Sequence, residues 1–359
     1  MEAKKEFKLS LIVTGAHLNY GFGNSLNEIK KDKIKISKKI NLNIQDKKGA
    51  VANSISLGIK KFNKYFEKNY FDYVILLGDR YEILSCAIAA MVIRYPIIHL
   101  HGGETTTNSF DEYFRHSISI FSQYHFVAAE KYFKRVMQLG KNPKTIFKVG
   151  GLGVANIKRI KFQKKNDIEQ KLKIKFKDKN IFFIYHPETL EKNYGEKGLE
   201  NCLKVLSGFK NYLVIISTPN ADTKYSKFRK KIFQYAKKND HFKIISTIKH
   251  DTFLSCMKFI DVIVGNSSSG ILEAPSLKVP TLNIGSRQDG RLRARSIIDS
   301  GYGFKEIQIK LKRLINLKRK KNIYANPYDY GDSIKKIIKI IKNLKNLKIE
   351  KNKKFYNII

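Results

Sequence analysis

Acidic residues, cysteine and long apolar runs are all scarce in this chain, and each scarcity excludes something. Only 31 Asp and Glu stand against 70 Lys and Arg in 359 residues, a formal charge of +39. Such a balance raises nucleic acid or an anionic membrane surface as partners. The lysines, however, are spread along the whole chain among abundant Ile and Asn, with no aromatic-interleaved basic stripe and no nucleic-acid motif beside them. The excess therefore reads as the surface composition of an AT-rich genome, although its field would still draw in a small anionic ligand. Three cysteines, Cys86, Cys202 and Cys256, stand far apart without a Cys-x-x-Cys pair. They read as reduced, buried thiols rather than a disulfide framework. Apolar runs such as Ile83–Val92 fall well short of the roughly 20 residues that span a bilayer. The N-terminal Met-Glu-Ala-Lys-Lys-Glu is charged and lacks the apolar segment of a signal peptide. The expected location is cytoplasmic.

A hydrophobic fraction of 42% and an aromatic fraction of 12% suffice for packed interiors. At roughly 150 residues per domain the length suggests two domains with a cleft between them. Short β-branched runs alternate with longer helix-like segments, the pattern of parallel strands with helical crossovers. Strands are expected at Lys8–Thr14, Tyr73–Leu77, Pro96–His101, His125–Ala128 and Ile146–Val149. A second set is expected at Ile181–His186, Tyr212–Ser217, Phe242–Ile245, Val262–Val264 and Thr281–Ile284. Two groups of five predict an α/β protein of two Rossmann-like doubly wound domains, over residues 1–160 and 161–332. The lysine-rich stretch from Asn156 to Asn180 is expected to hold the linker. From Ser333 to Leu347, apolar residues at three- and four-residue spacing predict an amphipathic helix within a C-terminal segment, 333–359, that packs across both domains.

In open α/β sheets ligands bind beyond the carboxyl ends of the strands, so polar residues just after each apolar run are the first candidates. Gly78-Asp79-Arg80 follows one run and His99-Leu-His101-Gly-Gly-Glu104 ends the next. Then Asp111, Arg115 and His116 open a helix-like segment. Asp79, Glu104 and Asp111 thus follow neighbouring strands, and crowded carboxylates supply both a base and an acid near neutral pH. Asp111 and Arg115 share a helix face, where a plain salt bridge is an equal alternative. His101 precedes a Gly-Gly pair that allows close approach of a ligand to the backbone. A metal held by His99, His101 and Glu104 is conceivable from spacing, but no further ligand cluster follows, and none is expected. In the second half, His186 follows a strand and could donate to a phosphate. Asn220 lies in another polar strand end. The strand-turn-helix string Val264-Gly265-Asn266-Ser267-Ser268-Ser269-Gly270-Ile271-Leu272-Glu273 is the sharpest element. Backbone N–H groups and serine hydroxyls at a helix start suit pyrophosphate. Glu273 could accept from two ribose hydroxyls, and Arg287 could bind a diphosphate bidentately.

These strings together resemble the UDP-N-acetylglucosamine 2-epimerase family, specifically its hydrolysing branch, which makes N-acetylmannosamine for sialic acid or analogous nonulosonic acid precursors. The motifs are Leu-Gly-Asp-Arg at 77–80, His-x-His-Gly-Gly-Glu at 99–104, Asp-x-x-x-Arg-His at 111–116, His-Pro-Glu-Thr at 186–189, Gly-Asn-Ser-Ser-Ser-Gly at 265–270 and Gly-x-Arg-Gln at 285–288. The resemblance implies a GT-B-like architecture with UDP held by the second domain. It implies an acid/base set of Asp79, Glu104 and Asp111, supported by Arg115, with Asp79 or Asp111 a better base than His101. It implies UDP contacts from His186, Asn220, Ser267, Ser268, Ser269, Gly270, Glu273 and Arg287. Neither metal nor redox cofactor is required, and a homodimer or tetramer is expected. Relatives begin with an additional strand and a Thr-Gly-x-Arg-type loop, whereas Lys8–Thr14 matches their second strand; a late recorded start is the expectation. The rival readings are a GT-B glycosyltransferase, a non-hydrolysing epimerase, the same reaction on a 2,4-diacetamido-2,4,6-trideoxy sugar, and an inactive UDP-binding chain.

Overall fold

The computed structural model describes residues 7–18, 26–43, 49–106, 110–188, 191–218, 225–245, 249–316, 321–344 and 355–357. The chain divides into two units, one of Met1–Glu104, Asp111–Leu152 and Tyr330–Ile359, the other of Thr105–Phe110 and Gly153–Asp329. Both are parallel α/β assemblies.

In the first unit β1 (Leu11–Thr14) pairs with β2 (Ile36–Ile40) in a two-stranded sheet. A separate sheet runs in the order β3 (Val74–Leu77), β4 (Ile97–Leu100), β5 (Tyr124–Val127), β6 (Ile146–Lys148). One face of it packs Leu76 and Ile97 against Phe62, Phe66, Cys86 and Ala90 from the helices Ala50–Phe66 and Tyr81–Val92. The other face sets Ile98, Tyr124 and Phe126 against Ile337 and Leu344. Those two side chains come from the C-terminal helix Ser333–Asn343 and its end, so this helix belongs to the core of the first unit. The Asp332 side chain starts it by accepting the Lys335 N–H, as an N-cap residue does. On that same face Ile75 and Leu77 of β3 are left 48% and 54% exposed.

The second unit holds one sheet of six, in the order β12 (Ile297–Ser300), β11 (Thr281–Ile284), β10 (Val262–Gly265), β7 (Asn180–Ile184), β8 (Leu213–Ser217), β9 (Phe242–Ile245). Every residue of β7, β10 and β11 is buried, as a parallel sheet covered on both faces demands. Alternate residues of β7 serve opposite cores. Ile181 and Phe183 meet Leu199, Leu203, Ile307 and Leu311, while Phe182 and Ile184 meet Ile168, Met257 and Ile260. Full burial of each such side chain contributes about 1.5–3 kcal/mol.

Among the described residues each unit has six strands rather than five. The reading of the sequence missed β2, whose Ile-Ser-Lys-Lys-Ile is mostly exposed, and β12, an edge strand with Asp299 exposed. The Asn156–Asn180 stretch holds the helix Lys165–Leu172 and the buried Ile168, Ile174 and Phe176, so it packs into the second core. The chain passes between the units after Glu104, Phe110, Leu152 and Asp329. No helix among the described residues is long and apolar enough to cross a membrane.

Candidate functional site: carboxylates in the first unit, strand-end loops in the second

In the first unit, β3 and β4 end side by side, and the turns beyond them carry the acidic residues. Gly78 turns the chain with φ 88°, a left-handed conformation that glycine adopts without strain, and so presents Asp79. Arg115, from the helix Asp111–Phe121, is 1% exposed and draws the group together. Its guanidinium pairs with the Asp79 carboxylate and with Glu112 Oε2 at 2.8 Å, and donates to the Glu104 carbonyl at 3.0 Å. Burial alone would lower its pKa, but the Asp79, Glu104 and Glu112 charges outweigh burial and hold it above the usual value.

Glu104, 3% exposed, accepts from His101 Nδ1–H at 2.7 Å, and His101 Nε2 accepts the Leu152 N–H at 3.3 Å. Both ring nitrogens are thereby engaged, and the neutral tautomer carries its proton on Nδ1. His101 sits at φ 66°, an unfavourable conformation for a residue with a Cβ, so the loop is held there by its contacts. These bonds tie it to Glu104 and to the Leu152 backbone. His99 is also engaged. Its Nε2–H donates to the Gly78 carbonyl at 2.9 Å and its Nδ1 accepts from the Ser119 hydroxyl at 3.0 Å. Burial pulls its pKa down to about 4, so it is neutral at pH 7. Among the described residues no three His, Cys, Asp or Glu side chains are grouped to hold a metal.

Asp111 opens the helix that carries Arg115. Glu112, which the sequence reading passed over, binds both Arg115 and His116, the latter at 3.0 Å. Its three- and four-residue spacing to those partners was the available signal.

In the second unit, β7 and β10 are neighbours although the chain visits β8 and β9 between them, which makes this the switch point of the sheet, where α/β folds place ligands. His186 follows β7 and the Gly265–Gly270 string ends β10. Gly265 takes φ 134°, and a Cβ there would stand 1.8 Å from the Ile184 carbonyl oxygen, so only glycine fits. Asn266, fully buried, then binds the His186 backbone twice, accepting its N–H at 2.7 Å and donating to its carbonyl at 2.9 Å. Its own carbonyl accepts from Arg287 at 3.1 Å and Gln288 at 2.8 Å. One amide therefore joins the ends of β7, β10 and β11.

Ser267 and Ser268 lead into a helix of one turn, Ser269–Leu272, with Gly270 buried against Thr281, and a 3-10 turn follows. Anion binding here would rest on local N–H and hydroxyl groups, not on a long helix dipole. Glu273 ends that turn with its side chain 12% exposed, and its Oε2 is buried without a hydrogen-bond partner among the described residues. Such an orphaned acceptor suits a hydroxyl donor from a ligand. Asn220 lies outside the described residues.

A profile of the UDP-N-acetylglucosamine 2-epimerase family matches residues 1–342. The chain belongs to this family. The epimerase is 42% identical over 299 residues to the Campylobacter jejuni GDP/UDP-N,N'-diacetylbacillosamine 2-epimerase (hydrolyzing), covering 82% of this chain and 77% of that one. It is 34% identical to the Legionella pneumophila UDP-N,N'-diacetylbacillosamine 2-epimerase (hydrolyzing), over 92% and 87% of the two chains. Its fold matches the crystal structure of a Neisseria meningitidis UDP-GlcNAc 2-epimerase bound to UDP-GlcNAc, with TM-score 0.82 at 18% identity over 95% and 94% of the chains. The expected GT-B-like architecture of two Rossmann-type units is thus the architecture of the epimerase.

Two residues of the second unit had no assigned role in the sequence. Asn266 was quoted within its motif without one, and Glu188 likewise. Glu188 is wholly buried and its pKa is raised by that burial, against the opposing pull of hydrogen bonds from Tyr302 and Asn266. Nothing in the sequence distinguishes it from the exposed glutamates nearby.

Proposed function

We propose that the epimerase removes the carbon-2 proton of a UDP-2-acetamido sugar, expels UDP to give a glycal, and adds water at carbon 1 while a proton returns to the opposite face of carbon 2. The observation that carries this reading is the buried Arg115 in the first unit, which pairs with the Asp79 and Glu112 carboxylates and holds the Glu104 backbone carbonyl. Asp79, paired with the Arg115 guanidinium, is the base. Glu104, oriented by His101, and Asp111 supply and accept the other protons. In the second unit His186, the Ser267–Ser269 turn and Arg287 take the charge that develops on the departing diphosphate. Glu273 receives the ribose hydroxyls, and Asn220 is proposed to join these contacts. A homo-oligomer in the cytoplasm completes the reading.

Among sugars, UDP-N-acetylglucosamine follows from the motifs, giving N-acetylmannosamine for sialic acid synthesis. UDP-2,4-diacetamido-2,4,6-trideoxyglucose has specific support in the two diacetylbacillosamine-acting relatives at 42% and 34% identity. Incubation with each sugar in deuterated water, followed by NMR, tests both. Free 2-epimerised sugar with deuterium at carbon 2 is expected from one of them. UDP release only in the presence of an acceptor would show a glycosyltransferase instead, and binding without turnover of either sugar would refute the reaction.

A further inference from the structure

Glu188 has no place in the chemistry above, yet it is the most heavily bonded carboxylate of the second unit. Its Oε1 accepts from Tyr185 and from Asn266 Nδ2, both at 3.3 Å, and its Oε2 accepts from Tyr302 at 3.0 Å and from Ser286 at 3.5 Å. Those four donors come from four places: the end of β7, the end of β10, the loop after β11 and the loop after β12. The same loops carry His186, the serine turn and Arg287. Asn266 is the link, because the amide that touches Glu188 also fixes the His186 backbone, while its carbonyl receives Arg287 and Gln288. The packing leaves no slack. A Cβ at Gly285 would lie 2.8 Å from Glu188 Oε1, and one at Gly195 would lie 3.0 Å from it.

We propose that Glu188 is a positioning residue of the nucleotide site, a buried carboxylate that sets the Asn266 side-chain amide and through it the His186 backbone, beside the Asn266 backbone carbonyl that receives Arg287, without itself touching substrate. The proposal rests on the nucleotide role assigned to those loops. A carboxylate suits the task because its two oxygens accept from Tyr302 and Asn266 together, with the Tyr185 and Ser286 hydroxyls shared between it and the Gly195 carbonyl and Glu191, whereas a glutamine offers one acceptor oxygen and turns an N–H pair toward donors.

The test is calorimetric titration of UDP into the full chain, with thermal unfolding measured alongside, for wild type, Glu188→Gln and Tyr302→Phe. Asn180→Ala serves as the comparison, a buried residue at the other end of the same sheet that braces the Phe259 and Lys177 carbonyls. Glu188→Gln is expected to weaken UDP about tenfold, the value of one charge-assisted hydrogen bond, in protein that is still folded at the titration temperature. Tyr302→Phe, which removes one donor, should weaken UDP in the same sense and less. Asn180→Ala should lower the unfolding temperature and leave UDP affinity alone. Glu188→Gln that unfolds earlier but binds UDP as wild type does would overturn the proposal and leave Glu188 a structural residue. Wild type that fails to bind UDP would instead refute the nucleotide assignment itself, so the two failures are distinguishable.

Discussion

The two units are built from the same parallel strands and helices but hold their functional residues by different forces. In the second, one continuous sheet of six is buried on both faces, and the loops at its switch point are tied by amides, hydroxyls and a single buried carboxylate. In the first, the strands form two separate sheets, β3 leaves Ile75 and Leu77 exposed, and Asp79 and Glu112 are gathered by ion pairs on Arg115. An ion pair favours the charged form of each partner, which under the proposed function suits acid/base residues, whereas the bonds of the second unit chiefly fix backbone.

That comparison is sharpened most by Asp79→Asn, which keeps the shape of the first unit and removes the proposed base. Turnover is expected to fall about 10²–10⁴-fold, with UDP affinity at the second unit unchanged by calorimetry. A parallel loss of UDP affinity would show that the two roles are not separable. Next comes Gly265→Ala, which forces a Cβ against the Ile184 carbonyl at a φ of 134°. Denaturant unfolding should show a loss of roughly 3 kcal/mol, and UDP binding should weaken because β7 and β10 part at the switch point. Unaltered stability would refute the close approach.

His99 supplies a test by pH. Its folded pKa of about 4 lies below the ordinary 6.5, so the unfolded chain takes up a proton first as pH falls. Its contribution is complete above pH 6.5, declines as pH drops below that value, and is lost by about pH 4, amounting at most to about 3 kcal/mol. His99→Asn should flatten the stability profile across that window, and a profile of unchanged slope would count against the buried neutral ring. The smallest effect is expected at Leu77→Thr, where the exposed side chain should cost less than about 0.5 kcal/mol in denaturant unfolding. A loss of several kcal/mol would mean that β3 is covered in solution and that the contrast between the two sheets is overstated.

Strands such as β7, β8 and β10 were legible because parallel strands buried on both faces are continuous apolar runs, a signal that survives in one dimension. β2 was not, since its central Ser37, Lys38 and Lys39 are all exposed and leave no apolar run to read. Asp79, Glu104 and the serine turn were legible from their position just beyond apolar runs. The roles of His99, His101, Glu112 and Glu188 were not, because a histidine or glutamate is base, orienter or brace according to its partners.

The sequence by itself determined the family, the parallel α/β class and the residue types at the strand ends, because these follow from local periodicity and from short strings that fold locally. Only the tertiary structure decided that Arg115 pairs with Asp79 and Glu112, that both nitrogens of His101 are spent, and that the C-terminal helix belongs to the first unit. The Asp79 and Leu152 contacts and the place of the helix join residues far apart in the chain, and the nearer Glu112 and Glu104 contacts are selected among several local partners, so packing in three dimensions makes these choices.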